Sequence, residues 1–252
     1  MNYFDAHTWI GRWPFAFCDV HSPATLSTHL KKHGIRQALV SPLDAVFAPE
    51  PGPANADLLR ETRGLMALHP VPVINPALGN WREELANAAG DPRVRAVRLL
   101  PNYHNYRLKL RAVDELMQAA LERGLRVIIQ ARLIDERHEY HAMMIKGVPV
   151  KELDTFLQLH AKTPVLVSGL LQSELRPLAT KHPQLYVDLS WAEWHDSITY
   201  LLDQVPVRQL VFASHTPFLI AAAARAKLDT SAVSPAKLRA IAGENLRRFL
   251  RE

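Results

Sequence analysis

Cysteine is almost absent from this chain of 252 residues: Cys18 stands alone, so no internal disulfide can form and no zinc-type cysteine spacing exists. No apolar run approaches the ~18 residues that a membrane span needs. The longest, Phe218 to Ala224, is short and ends at Arg225. No glycine-rich phosphate loop follows any strand-like run, which argues against a nucleotide-binding doubly wound sheet. Linkers, low-complexity tracts and close repeats are missing as well, so residues 1–252 read as a single domain. The N-terminal Met-Asn-Tyr-Phe-Asp carries neither a basic start nor an apolar core, and the expected location is therefore the cytoplasm. Charge is only mildly one-sided, 30 Lys+Arg against 25 Asp+Glu. The basic residues are scattered except for Arg239, Arg247, Arg248 and Arg251 on the last predicted helix. That pattern gives no stripe for nucleic acid, and the expected partner is a small anionic metabolite, with neither nucleic acid nor membrane.

What the chain does have is alternation. Short runs rich in Val, Ile and Leu lie at Asn2–Ala6, Arg36–Ser41, Pro70–Asn75, Val94–Leu99, Leu125–Gln130, Pro164–Ser168, Leu185–Leu189 and Gln209–Ser214. They lack clean polar alternation, which suits parallel strands buried on both faces. Amphipathic stretches separate them, starting at Ser22-Pro23 and continuing near 55–64, 81–90, 112–124, 150–161, 174–182 and 193–205, with a last one from Ser234-Pro235. Repeated strand–helix pairs imply right-handed parallel crossovers. About eight of them in this length predict an α/β fold, a (β/α)8 TIM barrel with room for distortion.

In such a barrel the chemistry sits at the C-terminal strand ends. Those ends read Asp5 and His7; Ser41 and Asp44; Asn75; Arg98 with Asn102, Tyr103 and His104; Gln130 and Arg132; Ser168; Asp188 and Ser190; Ser214 and His215. Arg98 ends an otherwise apolar run, where a bare charge is unusual; a bound anion or an internal carboxylate would satisfy it. The serines lack the Gly-x-Ser-x-Gly elbow of a nucleophile. His138 and His141, three apart, form a candidate metal pair without a third ligand at the expected spacing, and an exposed charged lid accounts for that stretch more simply. Trp9, Trp13, Phe15 and Phe17 form an aromatic patch that suits packing, a pocket wall or a subunit contact, and Trp191 and Trp194 read the same way.

Five segments resemble the amidohydrolase-related superfamily, the branch with decarboxylases of aminocarboxymuconate-semialdehyde type and lactone hydrolases. Phe4-Asp5-Ala6-His7-Thr8-Trp9-Ile10-Gly11 is similar to its opening Asp-x-His-x-His-x-Gly motif. Val73-Ile74-Asn75-Pro76 and Ala96-Val97-Arg98-Leu99-Leu100-Pro101 are similar to its third- and fourth-strand segments. Val211-Phe212-Ala213-Ser214-His215-Thr216-Pro217 resembles the eighth-strand Leu-Phe-Gly-Ser-Asp-x-Pro signature, and Gly243-Glu244-Asn245-Leu246-Arg247 the closing helix. The resemblance implies a barrel with a metal held by two first-strand histidines, further histidines on strands five and six, and an eighth-strand aspartate. This chain keeps His7 but has Trp9 at the second position, Gln130 at or beside the fifth-strand position, Ser168 or Gly169 at the sixth, and His215 for the aspartate. A catalytic zinc normally takes three protein ligands, so no metal or other cofactor is expected, zinc or another divalent ion being the lesser alternative.

The resulting expectation is a metal-independent hydrolase of a small carboxylated lactone or related carbonyl compound. His215 is the candidate general base, with His7 and Gln130 holding the carbonyl. Arg98, His104 and Arg132 are candidates for the carboxylate, while Asn102, Tyr103, Trp9 and Asp188 complete the candidate substrate-binding set. Two alternatives stand beside it: a metal-dependent decarboxylase or hydratase, and a non-catalytic barrel that binds a metabolite or partners an intact homologue. The family and the aromatic patch together suggest a homodimer.

Overall fold

The computed structural model describes residues 1–139, 144–193 and 195–251. His141 and Trp194 lie outside them. The strands are β1 (Tyr3–Ile10), β2 (Ile35–Pro42), β3 (Leu68–Pro70), β4 (Ala96–Leu99), β5 (Arg126–Gln130), β6 (Val165–Ser168), β7 (Leu185–Asp188) and β8 (Leu210–Val211). The helices are α1 (Pro23–Lys32), α2 (Gly52–Glu61), α3 (Trp81–Gly90), α4 (Arg111–Glu122), α5 (Val150–Leu159), α6 (Gln172–Lys181), α7 (Ser197–Leu202), α8 (Ala221–Asp229), α9 (Pro235–Arg239) and α10 (Asn245–Leu250). Among the described residues no helix is long and apolar enough to cross a membrane.

All pairings between these strands are parallel, in the orders β1-β2-β3 and β4-β5-β6-β7-β8. Single bridges join the two sheets at both seams, Val73 to Arg98 and Thr8 to Thr216. Hydrogen bonds from Ile74 N to Arg98 O (3.0 Å) and from Ala6 N to Phe212 O (3.0 Å) reinforce them. The fold is the predicted α/β barrel, distorted where β3 and β8 shrink. Around β3 the reason is chemical, because Pro70, Pro72 and Pro76 supply no amide donors. The Asn55 side chain acts as a substitute neighbour there, accepting from Val73 N (2.8 Å) and donating to Val73 O (2.7 Å).

Helix starts follow local chemistry. Ser22 caps α1 through a reciprocal box with Thr25, and Pro23 opens the first turn. In α4 the buried Val113, Leu116, Met117 and Ala120 fall on one stripe that packs on the strands. The short α7 replaces the longer helix expected at 193–205, and α8 occupies an alanine-rich segment whose weak amphipathicity gave no helical signal.

Side chains alternate along each strand, and the alternation layers the barrel. Phe4, Leu39, Ala96, Ile128, Leu166 and Val211 form one apolar interior cluster, floored by Leu246, Phe249 and Leu250. Two residues further along, Ser41, Arg98, Gln130, Ser168 and Asp188 form a buried polar layer. Above it lies a second apolar cluster containing Trp9, Leu43, Val73, Leu100 and Leu133. The polar layer is thus sandwiched between apolar ones.

The closing segment passes from α9 to α10 through a π-helical turn at Ala240–Glu244. A Cβ on Gly243 would lie 2.6 Å from Asn2 O, so only glycine lets this turn approach β1. Asn245, fully buried, donates to Val207 O (2.7 Å) and Leu210 O (2.8 Å) and ties the floor to β8. Replacing Asn245 by Ala removes both bonds and should cost about 1–3 kcal/mol, read as a lower urea midpoint at unchanged m-value.

Candidate active site

The polar layer contains a row of three side chains, all fully buried. Asp188 Oδ1 accepts from Ser190 N (3.1 Å) and Ser190 Oγ (2.5 Å), while Oδ2 lies 3.1 Å from His7 Nδ1. His7 in turn faces His215, whose Nδ1 is 3.1 Å from His7 Nδ1 and 3.0 Å from His7 Nε2. His215 Nε2 sits 2.6 Å from Leu133 O. The bulged pairing of β1 between Asp5 and Thr8 and the left-handed backbone of His215 (φ 55°) bring the two imidazoles together.

Counting protons exposes a shortage. A carbonyl oxygen only accepts, so His215 Nε2 carries its hydrogen and Nδ1 of the neutral ring is an acceptor. A neutral His7 has one N–H for two acceptors, His215 Nδ1 and Asp188 Oδ2. Asp188 Oδ2 lies 3.1 Å from His7 Nδ1, though not in line with a ring N–H. Burial holds both imidazoles neutral: it depresses His7 to about 4, against the pull of Asp188, and puts His215 well below its ordinary range, with His7 adding to the effect. Asp188 is ionised; burial disfavours its charge, but His7 and the Ser190 hydroxyl outweigh that. Asp5, which accepts from His7 N (3.1 Å) and Ser214 N (2.9 Å), is pushed up to about 7 by burial, with Asp188 adding repulsion. Its Oδ2 has no partner.

Arg98 is the cation of the layer. Its Nη1 donates to Gln130 Oε1, its Nη2 reaches Ala6 O at 3.5 Å, and its guanidinium carbon lies 4.7 Å from the Trp9 ring centre. Nε has no partner. Burial lowers Arg98 to about 9, opposed by Asp188 and then Asp5, so it remains charged at neutral pH. Gln130 also donates from Nε2 to Arg132 O (2.6 Å).

Five predicted residues therefore meet in one layer, His7, Arg98, Gln130, Asp188 and His215, and a sixth, Trp9, packs on Arg98 from the neighbouring apolar cluster. The others are engaged elsewhere. Arg132 spends its fork on Glu136, Glu174 and Gly169 O, which places it as an internal ion pair, because both carboxylates lie closer than any ligand would. His104 Nε2 contacts Ala45 O (3.0 Å) and Asn102 bonds Lys146 O, so neither faces the layer. The sequence reading left out Asp5 as a site residue, although its position two before His7 was a usable signal. It also could not see Leu133, which acts through its backbone alone.

Two cavities open at the mouth. One, of about 60 Å3, is walled by Trp13, Phe15, Phe47, Tyr103, Ile134, Glu139 and Ile145. An open groove of about 1130 Å3 beside it shares Trp13, Phe15 and Phe47 and adds Arg12 and His21. His7, Arg98, Asp188 and His215 line neither. Ring contacts nevertheless run from His215 to Phe218 (5.3 Å), on to Trp13 (5.0 Å) and Phe47 (5.4 Å), and to Tyr103 (5.5 Å).

The residues present do not fit the metal centre that the motif resemblance implies. Among the described residues no group of three His, Cys, Asp or Glu side chains is arranged to hold a metal ion. Trp9 and Gln130, at or beside positions where the motif resemblance implies ligands, both contact the Arg98 guanidinium instead.

A family model for amidohydrolases matches residues 55–251. This chain is an amidohydrolase-family protein. No curated protein matches it. Among solved structures it is similar to 5-carboxyvanillate decarboxylase from Sphingomonas paucimobilis, with 13% identity, 99% of each chain covered and a TM-score of 0.79. It is also similar to a probable 2-pyrone-4,6-dicarboxylic acid hydrolase from Acinetobacter baumannii, solved with citric acid bound (13% identity, 100% of each chain, TM-score 0.68). A third is the 5-carboxyvanillate decarboxylase from Novosphingobium aromaticivorans in complex with manganese and 4-hydroxy-3-methoxy-5-nitrobenzoic acid (11% identity, 100% of this chain and 96% of that one, TM-score 0.77). At these identities the likeness shows the fold.

The opposed shifts give a pH signature. His7 is protonated in the unfolded chain below 6.5 but in the folded one only near 4, so the histidine loses stability as pH falls through that window. Asp5 acts oppositely, losing stability as pH rises from 3.8 to about 7. Asp5→Asn removes the second effect, and its melting temperature relative to wild type should climb steadily from pH 4 to pH 7.5 in thermal scans. A constant offset across that range would contradict the burial-raised carboxyl.

Proposed function

We propose that this protein hydrolyses a small, planar ring compound that carries a carboxylate, a lactone of the pyrone type, without a metal ion. The observation that carries this reading is the proton shortage in the row Asp188–His7–His215. The row is neutral at physiological pH and free to take up a proton in passing, and one added proton gives both contacts a donor, in opposition to the burial that depresses His7 to about 4. His7 would then donate to Asp188 and His215 together. The row accepts the proton of the attacking water while the water oxygen bonds the carbonyl carbon. It returns that proton to the ring oxygen as the acyl C–O bond breaks. An enol leaving group makes this step less dependent on a Lewis acid than amide cleavage is.

The aromatic cavity supports the substrate class. The wall that the small cavity shares with the open groove of about 1130 Å3, Trp13, Phe15 and Phe47, offers ring faces and edges to a flat molecule lying in the groove. Phe218, in ring contact with both Trp13 and His215, joins the groove wall to the row. The pyrone hydrolase and the two carboxyvanillate decarboxylases named above act, by their descriptions, on carboxylated six-membered rings.

Decarboxylation is the second reading, and Asp5 favours it. Its carboxyl, raised to about 7 with an unpartnered Oδ2, keeps a proton near neutrality that could be delivered to a ring carbon as carbon dioxide leaves. Assaying 2-pyrone-4,6-dicarboxylate for ring opening and 5-carboxyvanillate for carbon dioxide separates the two. Ring opening should fall at least ~100-fold in kcat in His215→Asn and persist in Asp5→Asn. Carbon dioxide release abolished by Asp5→Asn would establish the second reading instead, and near-native ring opening in His215→Asn would remove the first.

A further inference from the structure

The charge in the polar layer has a consequence for how this barrel does without the ion bound in the manganese complex. We propose that the Arg98 guanidinium is a built-in replacement for the divalent cation, fixed by the side chains that took over the ligand positions. This deepens the metal-free reading above by naming the group that assumes the ion's charge.

Three contacts carry the inference. Nη1 of Arg98 is bound by Gln130, the fifth-strand residue at or beside a ligand position. The flat guanidinium lies over Trp9, at the second histidine position of the first strand, 4.7 Å from the ring centre. Nη2 points at Ala6 O, next to the one surviving ligand residue, His7. Each replacement is chemically matched to a guanidinium and poorly matched to a metal. An amide oxygen accepts from an N–H, and an indole face attracts a delocalised cation. Indole nitrogen offers no lone pair in the ring plane for coordination.

The charge balance agrees. Asp188 and then Asp5 are the leading negative groups acting on Arg98. Asp188 is ionised, so the layer sets a buried negative charge against the fixed positive charge of Arg98. A divalent ion entering beside that charge would meet repulsion that a low-dielectric interior does not screen. The unpartnered Nε also leaves one donor free for an oxygen that develops negative charge, the service a bound cation would give.

The test uses the full chain and needs no substrate. Protein purified without chelator, and again after incubation with Mn2+ or Zn2+ and gel filtration, should carry far less than one metal ion per chain. Its melting temperature should be the same with EDTA, with Mn2+ and untreated. Arg98→Met, which strands the Asp188 charge, should lower the melting temperature by on the order of 5–15 °C. Adding Asp188→Asn should restore part of that loss, because the pair of charges then leaves together. If Arg98→Met does not fold, Arg98→Lys should fold with a smaller loss, since the charge is kept. About one metal per chain with an EDTA-sensitive melting temperature would overturn the proposal, as would a wild-type melting temperature in Arg98→Met or additive losses in the double variant. Lack of turnover on ring acids would remove the functional reading and leave these measurements untouched.

Discussion

A single buried positive charge, Arg98 at the end of β4, organises the centre of this protein. It lies between an apolar layer that fills the barrel and another that closes the mouth, so water cannot stabilise it. Everything beside it is arranged to compensate: an amide oxygen from Gln130, the face of Trp9, and the carboxylates of Asp188 and Asp5. Leaving such a charge unpaired costs several kcal/mol, comparable with a large part of a domain's net stability. The identities at positions 5, 9, 98, 130 and 188 are therefore mutually dependent, and none of them can change alone without cost.

The same burial defines the chemistry. Two imidazoles in contact would ordinarily divide a proton with solvent; here desolvation strips it away, and Asp188 holds the charge that orients the row. The outcome is a base that is neutral at physiological pH and short of one hydrogen. Asp5, a few ångströms along β1, is moved by the same desolvation in the opposite direction. One environment thus moves two carboxylates apart: His7 and the Ser190 hydroxyl hold Asp188 ionised, whereas at Asp5 burial dominates and pushes the carboxyl up to about 7.

Much of this was legible in the residues. Eight apolar runs predicted the barrel, the polar residues at their C-terminal ends pointed to the site, and Gln130, Ser168 and His215 were marked by the motifs. β3 was misplaced because three prolines interrupt the ladder and a distant asparagine supplies the missing bonds, a pairing that strand propensity does not contain. Arg132 had the type and position of a carboxylate receptor, but Glu136 and Glu174 reach it from a loop and from α6, and such convergence is a property of the fold. The role of Leu133 had no sequence signal, since any residue presents a carbonyl.

The Arg132 ion pair adds a mechanical link between rim and centre. Arg132 binds Glu136 in its own loop and Glu174 on α6, and Gly169 comes so close to its backbone that a Cβ would lie 2.1 Å from Arg132 O. The next residue along the chain is Leu133, whose carbonyl fixes the hydrogen of His215 on Nε2. The brace therefore sets the tautomer. Loosening the rim carboxylates would free His215 to move its hydrogen to the other nitrogen, reversing the direction in which the row passes a proton, without any change to a residue of the row itself.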